Sequence, residues 1–402
     1  MMNDEAVFEK IRSDYPATKK LTYFDAGARS LVSVQTRAAL DKLVDSQLYE
    51  GGDKPEMFRL IERVREKFAR LINARSEEIA FMKNVSDGLN TIAGSIPFKP
   101  NDNVVLTSDL EHPNNVYPWY NVRDKSQVKI IDVPSVNGQI DVEGMINAIT
   151  PSTKLVTCST VTYSPGMRTN VPKLGKACRD RGVFFLVDGV QSCGVLRTDV
   201  EELMVDAMAV STQKGLQGLY GMGFLYCRME AANVLRPERL ARFGVNLGDD
   251  THEAAAGDQE FDLMPGARRF EVGNYNFPAA AAAEPALDRM LELGSAVIEE
   301  RNCRLARRLA SGMHQLGLEV CGDLDDPLRT HIVTVGEMDL ENHESAGSGE
   351  LQSLFDYLWA NDVRLSIRRG VLRFGIHFYN NDQDVDRVLD LTKRWQEQAV
   401  AA

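Results

Sequence analysis

A carboxylate and an amine stand at the ends of two apolar runs. Phe184-Phe185-Leu186-Val187-Asp188-Gly189-Val190-Gln191 carries a β-rich stretch straight into Asp188, and Val210-Ser211-Thr212-Gln213-Lys214-Gly215 places Lys214 after another, 26 positions on (214 − 188). In an α/β sheet the carboxyl ends of such strands form the edge at which ligands bind. Taken singly, each residue has a plainer reading. A strand-end Asp caps a helix or shapes a loop, and a lysine after a buried strand keeps its ammonium in water. Converging on one cleft, they offer an amine that forms a Schiff base and an acid that keeps a pyridine nitrogen protonated, the two groups that pyridoxal 5′-phosphate (PLP) chemistry requires.

A third stretch suits the same ligand. Asn84-Val85-Ser86-Asp87-Gly88-Leu89-Asn90 follows a predicted strand and opens a helix, where unpaired backbone N–H groups and the positive end of the dipole attract a phosphate. A Ser-Asp capping pair has the same appearance.

The elements around these residues are legible. From about residue 55 to 228, β-rich runs alternate with helical patterns, which predicts βαβ units around a largely parallel sheet. Met57, Leu60, Ile61, Val64, Phe68 and Leu71 fall at amphipathic spacing and predict a helix lying across that sheet. The predicted strands are Ile79–Met82, Val104–Thr107, Val128–Val133, Leu155–Ser159, Val183–Val187, Ala207–Ser211 and Gly223–Cys227, most too apolar to leave one face in water. After a weakly patterned stretch from Arg236 to Pro278, a long helix is predicted over about 279–316. The tail predicts strands Thr330–Val335 and Leu372–Gly375, a mobile loop over Gly336–Gly349, and a last helix capped by Asp382 that presents Val385, Val388, Leu389 and Trp395. The expected division is an N-terminal segment, 1–20, packed with the small domain, a large domain over 21–278, and a small α+β domain over 279–402.

Composition narrows the function. Lysine and arginine number 46 against 58 acidic residues, a net charge of −12 with no long block of like charge, so nucleic acid and membrane surfaces are poor partners. The six cysteines are sparse and unpatterned, unlike a disulfide framework or a metal site, and read as reduced thiols. With an acidic, polar start and no apolar window of about 20 residues, the expectation is a cytoplasmic protein without a bound metal.

From Tyr23-Phe24-Asp25-Ala26-Gly27-Ala28 to Phe378-Tyr379-Asn380-Asn381 the chain resembles the aminotransferase class V family of fold-type I PLP-dependent enzymes, which includes cysteine desulfurases, selenocysteine and cystine lyases, kynureninases and glyoxylate aminotransferases. The resemblance implies an α/β large domain with a mostly parallel seven-stranded sheet and a smaller α+β C-terminal domain. It makes Lys214 the Schiff-base lysine, Asp188 the pyridinium partner, Gln191 the donor to the ring 3-oxygen and Ala28 a backbone contact for substrate. Glu111-His112-Pro113-Asn114-Asn115 with Pro118-Trp119 matches a motif whose histidine stacks on the cofactor ring and carries protons; an ordinary polar contact at a helix start is the plainer alternative for His112. Ser86, the Asp87 backbone, Ser211 and Gln213 fall to the phosphate. Gly273-Asn274-Tyr275-Asn276 matches a segment that reaches the phosphate of the opposite subunit, which implies a homodimer with active sites at the interface.

By the same resemblance Arg373 binds the substrate α-carboxylate, a task that suits the guanidinium fork. Arg364, Arg368 and Arg369 read most simply as a solvated basic turn; the alternative is a second arginine at the site, suited to an acidic side chain. Two departures bear on the reaction. The stretch before Arg373 holds no cysteine, where desulfurases carry the one that accepts sulfur as a persulfide; Cys321 lies 52 positions upstream (373 − 321). Tyr163 stands where desulfurases have asparagine, a cofactor-facing position that implies a substrate-binding residue able to shape the pocket or donate a proton; packing over a strand end is its plainer role. The expected activity is amino-acid chemistry through an external aldimine and Cα deprotonation by Lys214, ending in transamination or in β-elimination without a persulfide. Epimerisation, or a non-catalytic binding role, is the alternative.

Overall fold

The apolar runs between residues 79 and 227 form a single sheet in a computed structural model that describes residues 4–248, 255–257, 260–340, 342 and 345–401. Its strands are β1 (Ile79–Met82), β2 (Asn103–Leu106), β3 (Lys129–Asp132), β4 (Thr153–Ser159), β5 (Phe184–Asp188), β6 (Ala207–Ser211) and β7 (Gly223–Cys227). They lie in the order β1-β7-β6-β5-β4-β2-β3, with β7 antiparallel to both neighbours and every other pair parallel. The continuous hydrophobicity has a direct cause: side chains alternate between faces, and both faces are covered. Phe185, Val187, Met208 and Val210 enter one core, while Leu186, Ala207 and Ala209 enter the other. On the first face the Lys54–Leu71 helix buries Leu60, Ile61, Val64 and Phe68, and Phe68 stacks on Phe224 with centroids 4.1 Å apart.

A third core lies over the antiparallel sheet β8-β10-β9, formed by β8 (Ile332–Val335), β9 (Ser366–Arg368) and β10 (Val371–Gly375). Two helices, Phe277–Leu293 and Ser295–Gln315, occupy the stretch predicted as one. They part at Gly294, whose φ of 83° takes the chain out of helical geometry. Ala279, Ala280, Ala281, Ala283, Leu287 and Met290 of the first helix pack with the large sheet, and the third core begins with Phe24 and Leu305. Residue 279 is thus near the head of a helix that fills the first core. The N-terminal Phe8, Ile11 and Tyr15 enter that core too, while Arg12 pairs with Asp384 at 2.7 Å.

Two local expectations are corrected. Asn381 caps the Asp382–Ala401 helix, accepting the Asp384 N–H at 3.1 Å, because Asp382 is engaged by Arg304 and Arg308 at 2.9 and 3.0 Å. β9, absent from the prediction, pairs with β10 through a turn at Arg369-Gly370. Of the loop predicted as mobile, Glu341, His343 and Glu344 lie outside the described residues, and the Gly347 N–H donates to the Gly370 carbonyl at 2.7 Å. Among the described residues no helix is long and apolar enough to cross a membrane.

Candidate active site

β4 and β5 end in register, with Ser159 opposite Asp188, and β6, with Ala209 opposite Asp188, runs two residues further. Asp188 and Lys214, three residues past the end of β6, therefore emerge at one edge. A cavity of about 630 Å³ opens there. Ala28, Ser86, His112, Tyr163, Asp188, Gln191, Ser211, Gln213, Lys214 and Arg373 all line it, drawn from seven separate stretches of chain.

The two charged groups are held away from water. Burial pushes the Asp188 carboxyl up to about 6, opposed by the Val190 N–H, 2.9 Å from Oδ1, and by the Lys214 charge. Burial also brings the Lys214 amine down to about 8; the Arg373 charge acts in the same direction, and Asp188 opposes it. Lys214 thus presents a nucleophilic, unprotonated fraction near neutral pH.

His112 makes the polar contact foreseen as its plainer role and faces the cavity as well. Its Nδ1 accepts the Asn114 N–H at 3.2 Å, which puts the proton of a neutral ring on Nε2. The ring stands edge-on to Tyr163, centroids 5.3 Å apart, and burial followed by the Lys214 charge lowers it to about 4. Behind it the buried Glu111 accepts the Ser159 N–H at 2.5 Å and the Ser159 hydroxyl at 2.6 Å, tying the histidine loop to the end of β4.

The Val85–Ser95 helix points its amino end at the same space. Asn84 caps it by accepting the Asp87 N–H at 2.9 Å, and the Val85 N–H donates to Ser211 Oγ at 2.7 Å. That hydroxyl keeps its own proton for an anion. Gly88 permits the approach: a Cβ there would lie 2.9 Å from the Cβ of Ala209 on β6. Asp87 departs from expectation. Its N–H belongs to Asn84, and its carboxylate takes Arg239 at 2.6 Å and the Lys83 N–H at 3.0 Å, so its backbone donor is already engaged. Asn274 is exposed and absent from the cavity wall of its own chain.

Arg373 is buried, donating from Nε to Ser366 Oγ at 3.2 Å and from Nη1 to the Tyr163 carbonyl at 3.0 Å. Asp25 lies 4.0 Å from its Nη2. Burial brings Arg373 down to about 10 and raises Asp25, whose Oδ1 has no hydrogen-bond partner among the described residues. Gln191 spends one Nε2 N–H on the Gly27 carbonyl at 3.0 Å. The basic turn is not solvated as a unit. Arg369 is buried, its guanidinium 4.7 Å from the Tyr163 ring centroid, whereas Arg364 folds onto Trp359, 4.6 Å from that ring's centroid. Arg368 lines the cavity. It is the one of the three arginines that reaches the site, where sequence reasoning held a second arginine only as the alternative to a solvated turn. Asp25, beside Arg373, is the residue that sequence reasoning left without a role. Asp25 carried a usable signal, since Tyr23-Phe24 runs into it as Leu186-Val187 runs into Asp188.

The donor set fits PLP: an amine for the aldehyde, a buried carboxylate for the ring nitrogen, and a helix amino end with a hydroxyl for the phosphate. A sequence model described as aminotransferase class-V matches residues 51–388. The chain belongs to that family. As a class-V enzyme it is PLP-dependent, an aminotransferase or a carbon–sulfur lyase. It is 26% identical over 390 residues to a probable cysteine desulfurase of Methanothermobacter thermautotrophicus, covering 94% of this chain and 95% of that one. With an uncharacterized aminotransferase of Bacillus subtilis, YcbU, it shares 27% over 382 residues, 95% and 96% of the two chains. The apo structure of a cysteine desulfurase from Thermococcus onnurineus NA1 superposes with a TM-score of 0.82 at 24% identity, over 96% and 97% of the chains, and shares the fold. Class-V members act on amino acids. In this class-V chain none of the six cysteines lines the cavity, and all are free, with five of them buried.

Proposed function

We propose that this enzyme grips an α-amino acid by its carboxylate on Arg373, removes the Cα proton with Lys214, and completes the reaction without a protein-bound sulfur. The cysteine-free cavity wall carries this reading. Bound PLP supplies an electron sink for the electrons left at Cα. Asp188 would hold a proton at the ring nitrogen, and neutral His112, its proton on Nε2, would pack against the ring from the cavity wall. Ser86 and Ser211 hold the phosphate. Lys214 Nζ accepts the proton from Cα and returns it.

Two outcomes are open to such a site. A substrate without a leaving group on Cβ gives up its amino group and departs as a keto acid. One carrying sulfur on Cβ expels it, and cysteine yields pyruvate, ammonia and free sulfide, a reading that the desulfurase-named relatives support. Incubating the PLP-loaded enzyme with single amino acids and assaying keto acid, ammonia and sulfide tests it. Keto acid without ammonia marks transfer, and keto acid with ammonia and sulfide marks elimination. Sulfur retained on the polypeptide, seen as a 32 Da mass increase (about one sulfur atom, a persulfide at one Cys), would defeat the reading.

The enzyme is proposed to be a homodimer. Asn274 is exposed outside the wall of its own cavity, Tyr220 stands exposed at the cavity rim, and the Val34–Glu50 helix exposes Val34, Val44, Leu48 and Tyr49, the kind of apolar surface a partner covers. Light scattering should give about twice the 44.8 kDa chain mass. A monomer at working concentration would contradict this.

A further inference from the structure

Two guanidinium groups face the cavity from one side of a single hairpin. β9 and β10 pair with Ser366 opposite Arg373 and Arg368 opposite Val371. Residues two apart on a strand share a face, so Arg368 stands on the same side as Arg373, two pairs nearer the turn. Both line the cavity. Their duties differ. Arg373 is fixed by Ser366, the Tyr163 carbonyl and the neighbouring Asp25. Arg368 makes one contact, from Nη1 to the Ile367 carbonyl at 2.6 Å, and has no ion pair within 4.0 Å among the described residues. Arg369 is turned away, donating to the carbonyls of Asp109 and Glu111.

The charges at the site do not balance without a ligand. Lys214, Arg368 and Arg373 face Asp188 and Asp25. Bound PLP would take Asp188 at its ring nitrogen and place its phosphate at the helix end, and Asp25 lies against Arg373. An amino acid with one carboxylate needs only Arg373. Arg368 is one cation more on the same cavity wall, its Nε and Nη2 without a hydrogen bond among the described residues.

We propose that Arg368 binds a carboxylate in the substrate side chain, making the preferred substrate a dicarboxylic α-amino acid. This rests on the proposed role of Arg373 at the α-carboxylate. Diagonal positions across an antiparallel pair are spaced about 7–8 Å apart, and two guanidinium forks reaching inward from them span the carboxylates of a four- or five-carbon amino acid.

The test titrates the PLP-loaded enzyme with L-aspartate, L-asparagine, L-glutamate, L-glutamine and L-alanine, following the cofactor absorbance. A charged hydrogen bond that the amide cannot reproduce predicts that the better acid binds about 10- to 100-fold more tightly than its own amide. Arg368→Gln, shown to be folded by circular dichroism, should bring that ratio to about one, and Arg368→Lys should restore part of it through its point charge. A second readout needs no chemistry: glutarate should raise the melting temperature more than butyrate, and Arg368→Gln should erase the difference. The proposal is overturned if the wild type binds acid and amide equally, or if Arg368→Gln keeps the discrimination. In both cases L-alanine still perturbs the absorbance, and the reading of Arg373 and Lys214 stands. If no amino acid perturbs it, that underlying reading fails and takes this one with it.

Discussion

Lys214→Ala should lower turnover by at least about 10³-fold, because it removes both a positioned proton acceptor and the amine that holds the cofactor. The variant should still fold and still take up PLP, since Asp188, His112 and the amino end of the Val85–Ser95 helix remain; its cofactor absorbance should shift from that of the wild type. The environment of Lys214 adds a pH dependence. Burial and the Arg373 charge bring its amine down to about 8, so roughly a quarter is unprotonated at pH 7.5, against about 0.1% for an ordinary lysine. Because the protonated amine cannot attack an aldehyde, the rate at which PLP-free protein captures PLP should rise with pH and level off just above pH 8. A rate still climbing at pH 10 would show an unperturbed lysine and would remove the argument that the cavity activates it.

The next largest loss is expected at Asp188. Asp188→Asn keeps the shape and the oxygen that accepts the Val190 N–H but deletes the charge that holds a proton on the ring nitrogen. Losing one preorganised electrostatic contact to the reacting system lowers turnover by about 10²- to 10³-fold, with little change in PLP capacity. Stability should move the other way. Burial raises the Asp188 carboxyl from 3.8 to about 6, so the native state favours the neutral acid. That preference disfavours the folded state increasingly as pH rises from about 4 to 6 and persists above. In PLP-free protein, Asp188→Asn should therefore raise the urea midpoint at pH 8 more than at pH 4. An equal shift at both values would mean that Asp188 titrates normally.

The large sheet was legible because all its strands but the edge strand Lys129–Asp132 are largely buried on both sides, and continuous apolar runs bounded by turn residues have few other uses. Predicted and observed ends agree within about two residues, the ordinary uncertainty of strand boundaries. Asp188 and Lys214 were legible for a related reason: each is the first chemically able group after such a run. What escaped depended on contacts distant in sequence. The 277–315 stretch is helical in composition throughout, and only the positive φ at Gly294 divides it. The β9–β10 hairpin turns through Arg369 at φ 50°, a conformation unusual for a residue with a side chain, so the run of arginines looked like a solvated turn. Its true surroundings, Tyr163 and the 109–111 carbonyls, come from more than 200 positions away. Asp87 resembled a phosphate contact because a helix cap and an anion site use the same N–H groups, and here Asn84 takes the one in question.

The account rests on Lys214 and Asp188 enclosing one cofactor ring, and chemical trapping reads the first of these directly. PLP-loaded protein would be reduced with borohydride, digested, and searched by mass spectrometry for the lysine carrying the pyridoxyl group. The expected result is a single modified site at Lys214, trapped in the wild type and at comparable yield in Asp188→Asn. A pyridoxyl group on another lysine, or none on Lys214 after saturating PLP, would contradict the assignment of this cavity as the active site.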